Sequence, residues 1–181
     1  FTRLTETLME KGASGAEELS VALNDIFQPT VRFVYEQGGF IPYFAGDSFT
    51  AIFQQPNVSG SAVLATAQAT LARFIQEKEE GGSLCDYNIG IKIGLSYGDV
   101  EWGIVGEQRR AYYFRGAPID GCGQAQGKAN SLEMVGDAAF VRQFDPEVLD
   151  ATPIQNDDNY FHLKPKKVVL PTPQPAKLPK A

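Results

Sequence analysis

A strand–turn–strand signal lies between two long amphipathic segments, and this order constrains the fold more than any other feature. Residues 40–44 and 48–53 are rich in aromatic and β-prone side chains, and they are connected by Ala45-Gly46-Asp47. Glycine tolerates a positive φ and aspartate hydrogen-bonds its own backbone, so both favour a turn. The pattern predicts a β-hairpin with a carboxylate at its tip.

The two flanking segments, residues 15–37 and 59–79, repeat apolar side chains at helical spacing. Pro29 interrupts the first segment and predicts either a kink or two abutting helices. Glycine pairs follow both segments, at 38–39 and 81–82, as glycine often does where a helix ends. Two long helices are therefore expected around the hairpin.

Downstream, residues 89–95 and 100–104 alternate apolar and polar side chains with a period of two. This pattern predicts a second hairpin that turns at Tyr97-Gly98. The remaining predictions are a strand over 110–115, a helix over 117–130, a short strand over 132–135, a short helix over 138–144 and a final strand over 160–163. Helices mixed with consecutive hairpins indicate an α+β fold, with helices packed on a mostly antiparallel sheet.

Composition limits the possible partners. The 181-residue length favours one domain, predicted over residues 1–163, and the five prolines of residues 164–181 predict a linker. The tail also holds five lysines and no acid, so the rest of the chain carries −6 − 5 = −11. An acidic body argues against a nucleic-acid groove. It does not argue against a nucleotide, because bound divalent metal ions can offset phosphate charge.

Other sequence features favour a reduced, cytoplasmic protein. Cys85 and Cys122 have no metal-ligand spacing and are interpreted as free thiols. No apolar run approaches the roughly 20 residues of a membrane span. His162 is the only histidine and lies in the last predicted strand, which favours a structural role over that of a base for a nucleophile.

Asp47 is the candidate that points to a chemical role. By itself, an aspartate in a hairpin turn is simply a turn former. A carboxylate presented rigidly at a hairpin tip, beside a second carboxylate, can also hold Mg²⁺ and leave positions open for phosphate oxygens. Asp47 is therefore a candidate metal ligand.

Four segments, in order, resemble motifs of the class III nucleotide cyclase catalytic domains. Phe1-Thr2 resembles the end of D-x-x-G-F-T, and YFAGDSFTA at 43–51 resembles K-F-x-G-D-x-x-x-A. IGIKIGLSYGDV at 89–100 looks like R-I-G-I-x-x-G-x-V, and GAPID at 116–120 is similar to the I-G-x-x-V-N entry to a helix. The resemblance extends from residue 1 to about residue 163.

This resemblance implies a fold, a reaction and a set of site residues. The fold is a ferredoxin-like βαββαβ core with an antiparallel extension. The reaction converts ATP or GTP to a 3′,5′-cyclic nucleotide and pyrophosphate with two Mg²⁺ or Mn²⁺ ions. Asp47 is implied as the second metal ligand, with Phe1, Thr2 and Gly46 beside the triphosphate. The first metal-binding aspartate is expected upstream of Phe1.

Four positions depart from the cyclase pattern. Tyr43 stands where a base-reading lysine is usual, and Tyr113 where an aspartate or threonine contacts the purine. Asp120 replaces the transition-state asparagine, and Gln124 replaces the arginine. Neutral glutamine cannot replace an arginine that stabilises developing phosphate charge.

These departures indicate that the chain supplies only one half of a shared site. The resemblance is strongest to the metal-bearing first half of soluble-type adenylyl cyclases. A second cyclase homology domain, in the same or another chain, would supply the other half. The alternative is a catalytically inactive cyclase-like module for nucleotide binding, dimerisation or regulation.

Overall fold

Helices and strands follow one another much as the sequence predicts. The computed structural model describes residues 2–80 and 89–166, with residues 2–4 and 7 described in the backbone only. The elements are α1 (Thr2–Met9), α2 (Ala13–Glu36), β1 (Phe40–Ala45), β2 (Ser48–Ile52), α3 (Gly60–Glu79), β3 (Lys92–Leu95), β4 (Glu101–Val105), β5 (Ala111–Arg115), α4 (Ala117–Lys128), β6 (Glu133–Asp137), α5 (Ala138–Val141), β7 (Leu149–Ile154) and β8 (Asp157–Pro165). They group into two units, which divide after Gly90. The predicted α+β class is confirmed.

In the first unit, α2 is one helix of 24 residues although Pro29 lies inside it. The sequence left a kink or two abutting helices open, and the structure has a single helix. Proline removes one backbone donor. Ala22, Ile26 and Val34 are buried along one face, and such packing supplies most of the stability of a helix in a protein.

The helix α3 begins where its sequence provides a cap. The Ser59 hydroxyl accepts a hydrogen bond from the Ala62 backbone N–H at 3.2 Å, which satisfies one of the free donors at the helix start. Small and apolar residues form its buried side: Ala62, Leu64, Ala65, Thr66, Ala67, Thr70 and Phe74. No helix among the described residues is both long and apolar enough to cross a membrane.

The second unit is built on a four-stranded sheet with the order β3-β6-β8-β7. The predicted hairpin of residues 89–95 and 100–104 is wrong, because β3 pairs in parallel with β6 while β4 pairs antiparallel with β5. Period-two alternation identifies a strand with two different faces, but it does not identify the neighbouring strand. The chain therefore leaves the sheet after β3 and forms a separate two-stranded ribbon.

Helix α4 lies directly on strand β3 of this sheet. A Cβ atom added at Gly94 would come within 2.0 Å of the Cys122 carbonyl oxygen, so only glycine permits this approach. The buried centre of the packing contains Ala125, Ala129 and Val135. Small residues in α4 thus let helix and sheet come close together.

Strand β7 was not expected from the sequence. It pairs antiparallel with β8 at the edge of the sheet. Pro153 lies inside β7 and weakens the strand signal, but an edge strand tolerates proline. Strand β8 continues to Pro165, and the Lys166 N–H donates to the Val148 carbonyl at 2.9 Å. Residues 164 and 165 of the predicted linker therefore belong to the sheet, Lys166 is hydrogen-bonded to the residue before β7, and residues 167–181 lie outside the described residues.

Two glycines in this unit should respond oppositely to alanine. A Cβ atom at Gly123, inside α4, would meet nothing within 4 Å. Gly123→Ala should therefore stabilise the protein by about 0.5–1 kcal/mol, the helix-propensity difference. Gly94→Ala should destabilise it by about 1–3 kcal/mol, because helix and strand must separate. Chemical denaturation of both variants checks this, and equal effects would contradict the described packing.

Candidate functional site

The tip of the β1–β2 hairpin holds Asp47 at an exposed corner. Ala45 pairs with Ser48, so Gly46 and Asp47 form a two-residue loop. Gly46 has a φ of 61° at the first loop position, as in the type II′ turns that suit hairpins. The Ser48 hydroxyl donates to the Ala45 carbonyl at 2.9 Å and closes the turn. The sequence-predicted placement of this carboxylate is confirmed.

The two faces of this hairpin have different surroundings. Phe44 and Phe49 lie opposite each other, and their ring centroids are 5.6 Å and 6.3 Å from that of Phe27 in α2. Tyr43 and Thr50 form the next pair, on the other face. The Thr50 hydroxyl donates to the Tyr43 oxygen at 3.5 Å, and Tyr43 remains 42% exposed. One face therefore anchors the hairpin, and the other presents hydroxyl groups to solvent.

The described residues fit a metal ion only in part. No three His, Cys, Asp or Glu side chains in ranges 2–80 and 89–166 come together as a metal site. Asp47 supplies one carboxylate, and Mg²⁺ is commonly held by one or two carboxylates together with substrate phosphates. The donor set thus fits an ion carried mainly by a triphosphate, and by itself it does not fit two resident ions.

The resemblance also places Phe1, Thr2 and Gly46 near the triphosphate. Phe1 lies outside the described residues, and Thr2 is the first residue of α1, described in its backbone only. Gly46 lies in the loop beside Asp47. The role of these three positions stays a prediction.

In the second unit, Asp120 and Gln124 lie four residues apart in α4, on one exposed helix face. The Tyr160 hydroxyl donates to Gln124 Oε1 at 2.8 Å. Burial, and then the negative charge of Asp137, raise the pKa of the Tyr160 phenol, which keeps its proton available for this bond. The position expected to hold an arginine therefore holds a neutral amide tied to the sheet.

Lys128 continues this face by one helical turn. Its ammonium group lies 2.6 Å from the Asp157 carboxylate and 4.9 Å from the centroid of the Tyr160 ring. The side chain is thus held by an ion pair and by a cation–π contact. Side chains from two successive turns of α4, Gln124 and Lys128, therefore bind to strand β8.

Tyr113 lies on the β4–β5 ribbon, directly opposite Gly103. A Cβ atom at Gly103 would be 2.8 Å from the Tyr113 hydroxyl oxygen, so the tyrosine ring covers this glycine. The Arg115 guanidinium is 5.9 Å from the ring centroid, and it also pairs with Glu101 at 2.6 Å. Tyr113 packs on its own ribbon, and its predicted base-site role stays a prediction.

Asp137 is a residue that the sequence analysis missed. Its Oδ1 accepts from the Phe140 N–H at 2.7 Å, which caps α5, and its Oδ2 accepts from the Ser96 hydroxyl. A Cβ atom at Gly121 would lie 2.7 Å from Ser96 Oγ, so α4 also approaches this pair closely. An aspartate just before a predicted helix is a recognisable cap signal. Its bond to Ser96, 41 residues away, has no local signal.

The cysteine and histidine candidates have structural surroundings. The Cys122 thiol donates to the Ile119 carbonyl at 3.1 Å, and burial raises the pKa of this thiol. A protonated thiol is a poor nucleophile. His162 Nδ1 lies 3.4 Å from the Glu133 carboxylate on the neighbouring strand. Cys85 lies outside the described residues.

Comparison of sequences gives no match: no family model matches the chain, and no curated protein matches it significantly. Solved structures do match. The adenylyl cyclase CyaB from P. aeruginosa has a TM-score of 0.69 at 15% identity, over 91% of this chain and 90% of that one. The guanylate cyclase domain of RhGC from Catenaria anguillulae, solved with GTP, has a TM-score of 0.69 at 15% identity, over 89% of this chain and 91% of that one.

A third match is the non-canonical dimeric guanylyl cyclase domain of the RhoGC fusion protein from the aquatic fungus Blastocladiella emersonii. It has a TM-score of 0.69 at 13% identity, over 90% of this chain and 91% of that one. The chain therefore has the fold of the class III adenylyl and guanylyl cyclase catalytic domains. At these identities the likeness establishes the fold alone.

The Lys128–Asp157 pair predicts how stability changes in acid. The hydrogen bond from Lys128, followed by one from the Asn159 N–H, lowers the pKa of Asp157 below its ordinary 3.8. A carboxyl group with a depressed folded-state pKa stabilises the fold above its unfolded pKa, and this contribution is lost as the pH falls through the folded pKa. Lys128→Met should therefore reduce the loss of stability below about pH 4.

Denaturant midpoints between neutral pH and pH 3 measure this effect. Lys78→Met, which removes a lysine from the last turn of α3, is the matched control. If Lys128→Met loses as much stability between neutral pH and pH 3 as the unmodified protein does, the ion pair contributes nothing to folding.

Proposed function

We propose that the chain is a nucleotide cyclase domain that supplies the metal and triphosphate half of an active site shared with a second cyclase-fold domain. The reaction joins the ribose 3′-oxygen of ATP or GTP to the α-phosphate and releases pyrophosphate. The observation that carries the proposal is Asp47, an exposed carboxylate on an anchored hairpin tip within a cyclase fold.

Asp47 suits this role because of how the hairpin holds it. The aromatic packing of Phe44 and Phe49 on Phe27 restrains the tip, so the carboxylate needs little reorganisation to meet a cation. Mg²⁺ or Mn²⁺, when bound, would activate the attacking oxygen and offset phosphate charge. The acidic chain needs such an ion, since its net charge of −6 repels a triphosphate.

Helix α4 supports the requirement for a second domain. A cyclase transition state gains negative charge on phosphate oxygens, which donors and cations stabilise. Asp120 adds a negative charge, and Gln124 is neutral with its carbonyl bound by Tyr160. These side chains cannot stabilise the developing charge, so a partner must supply the cationic donors.

The β4–β5 ribbon offers a surface for that partner. Trp102 and Ile104 are 67% and 58% exposed, and they share one face with Tyr112 and Phe114, their cross-strand neighbours. Contiguous exposed apolar side chains mark interaction sites more often than ordinary surface. We assign this face to association with a second cyclase-fold domain.

Helix α4 also favours a second candidate function, that of a catalytically inactive cyclase-like module. The hydrogen bond from Tyr160 to Gln124 joins helix α4 to strand β8 without any ligand. Such an internal bond is expected where catalysis has been lost. Such a module would bind nucleotide, dimerise or regulate another domain.

Metal–nucleotide binding depends on Asp47 in this proposal. Mn²⁺ with ATP or GTP should raise the melting temperature of the protein, and Asp47→Asn should abolish the rise because the ion loses its protein ligand. Asp158→Asn removes a different exposed carboxylate and should leave the rise intact. The same rise in Asp47→Asn would remove Asp47 from the site.

Turnover separates the two candidate functions. The chain alone should make cyclic nucleotide at the buffer background. A variant with Tyr43→Lys, Tyr113→Asp, Asp120→Asn and Gln124→Arg restores the four departed positions of the complementary half, and Asp47→Asn in the same variant removes the metal half. Both proteins are made with the upstream residues that are expected to hold the first metal-binding aspartate. Neither should turn over alone, whereas their mixture should, because a mixed dimer then holds one complete site. Robust activity of the unmodified chain alone contradicts the need for a partner, and an inactive mixture that still binds Mn²⁺-nucleotide favours the module.

A further inference from the structure

An open groove lies on the first unit, between helix α2 and the end of strand β1. Its volume is about 480 Å³. It is lined by Ser20, Val21, Leu23, Asn24, Asp25, Phe27 and Phe44. The groove is separate from Asp47, which is not among these residues, and the proposed nucleotide chemistry does not use it.

One side of the groove is apolar and aromatic. Val21 is 57% exposed and Phe44 52% exposed, so large apolar side chains face solvent at the rim. The rings of Phe27 and Phe44 meet at 86° with centroids 5.6 Å apart. Perpendicular rings of this kind offer an aromatic face to a bound group, and aromatic faces attract cations.

The other side carries an uncompensated negative charge. Two other acids of α2 are paired: Glu18 lies 2.7 Å from Lys11, and Glu36 lies 3.1 Å from Arg32. Asp25 has no ion pair among residues 2–80 and 89–166. Its backbone carbonyl also lacks the usual helical donor, because Pro29, four residues on, has no N–H. Asp25 therefore offers acceptors on both its side chain and its backbone.

We infer that this groove binds an arginine side chain, flanked by apolar residues, from a partner protein. Guanidinium is planar and carries several N–H donors, so it can stack on an aromatic ring while it donates to a carboxylate and a carbonyl. Arginine beside apolar side chains is also enriched at protein interfaces. The charge and the aromatic lining of the groove thus complement this one kind of segment. The inference does not rest on the proposed cyclase function.

Titration of the ¹⁵N-labelled protein with the peptide acetyl-Leu-Arg-Leu-amide, followed by NMR, tests this inference without nucleotide or metal. Amide signals of residues 20–27 and 44 should shift together. The same peptide with citrulline, which keeps the shape and removes the charge, should bind about three- to tenfold more weakly. Equal affinity of the two peptides, or shifts confined to other residues, would overturn the inference.

Two variants and one further ligand sharpen the test. Asp25→Asn should reduce the preference for arginine over citrulline, while Glu17→Gln, which changes an exposed acid of α2 outside the groove, should retain it in full. An unchanged amide spectrum away from the groove shows that each variant is folded. Free arginine amide should bind more weakly than the peptide. If it binds equally well, the groove takes a small cation and the assignment to a partner protein is wrong.

Discussion

The packing of the β1–β2 hairpin on Phe27 is the contact on which the candidate site depends. An isolated two-stranded hairpin is only marginally stable in water, and among the described residues β1 and β2 pair only with each other. Phe44 and Phe49 give the hairpin a second attachment, to a helix that is itself buried along one face. A carboxylate two or three residues from these rings is therefore held in place, as a metal ligand must be.

In the second unit, close approach between helix and sheet has the corresponding role. Glycine at positions 94 and 121 lets α4 lie against β3 and against the Ser96–Asp137 pair. With the helix at this distance, Gln124 and Lys128 reach Tyr160 and Asp157 on β8. This helix face is thus used for internal bonding, and in the proposed function a partner domain supplies the cationic groups.

Two exposed surfaces then have different proposed roles. The apolar face of the β4–β5 ribbon suits a second domain of the same fold, because it is broad and carries aromatic side chains. The groove beside Phe44 suits a smaller, cationic segment, because Asp25, which has no ion pair within ranges 2–80 and 89–166, lines it together with aromatic rings. The two surfaces belong to different units, and each can be tested without the other.

Local sequence signals determined much of this protein. The apolar spacing of residues 59–79 predicted α3, glycine and aspartate predicted the turn that presents Asp47, and motif order predicted the cyclase fold. The helix and the turn depend on residues within a few positions of one another, so periodicity and turn chemistry suffice for them, whereas the cyclase fold was predicted from a resemblance to family motifs. Only the tertiary structure decided the partner of β3, the existence of β7 with Pro153 inside it, and the hydrogen bond between Tyr160 and Gln124. Those features join residues far apart in the chain, and alternation or helical spacing cannot identify a distant partner because both describe a segment by itself.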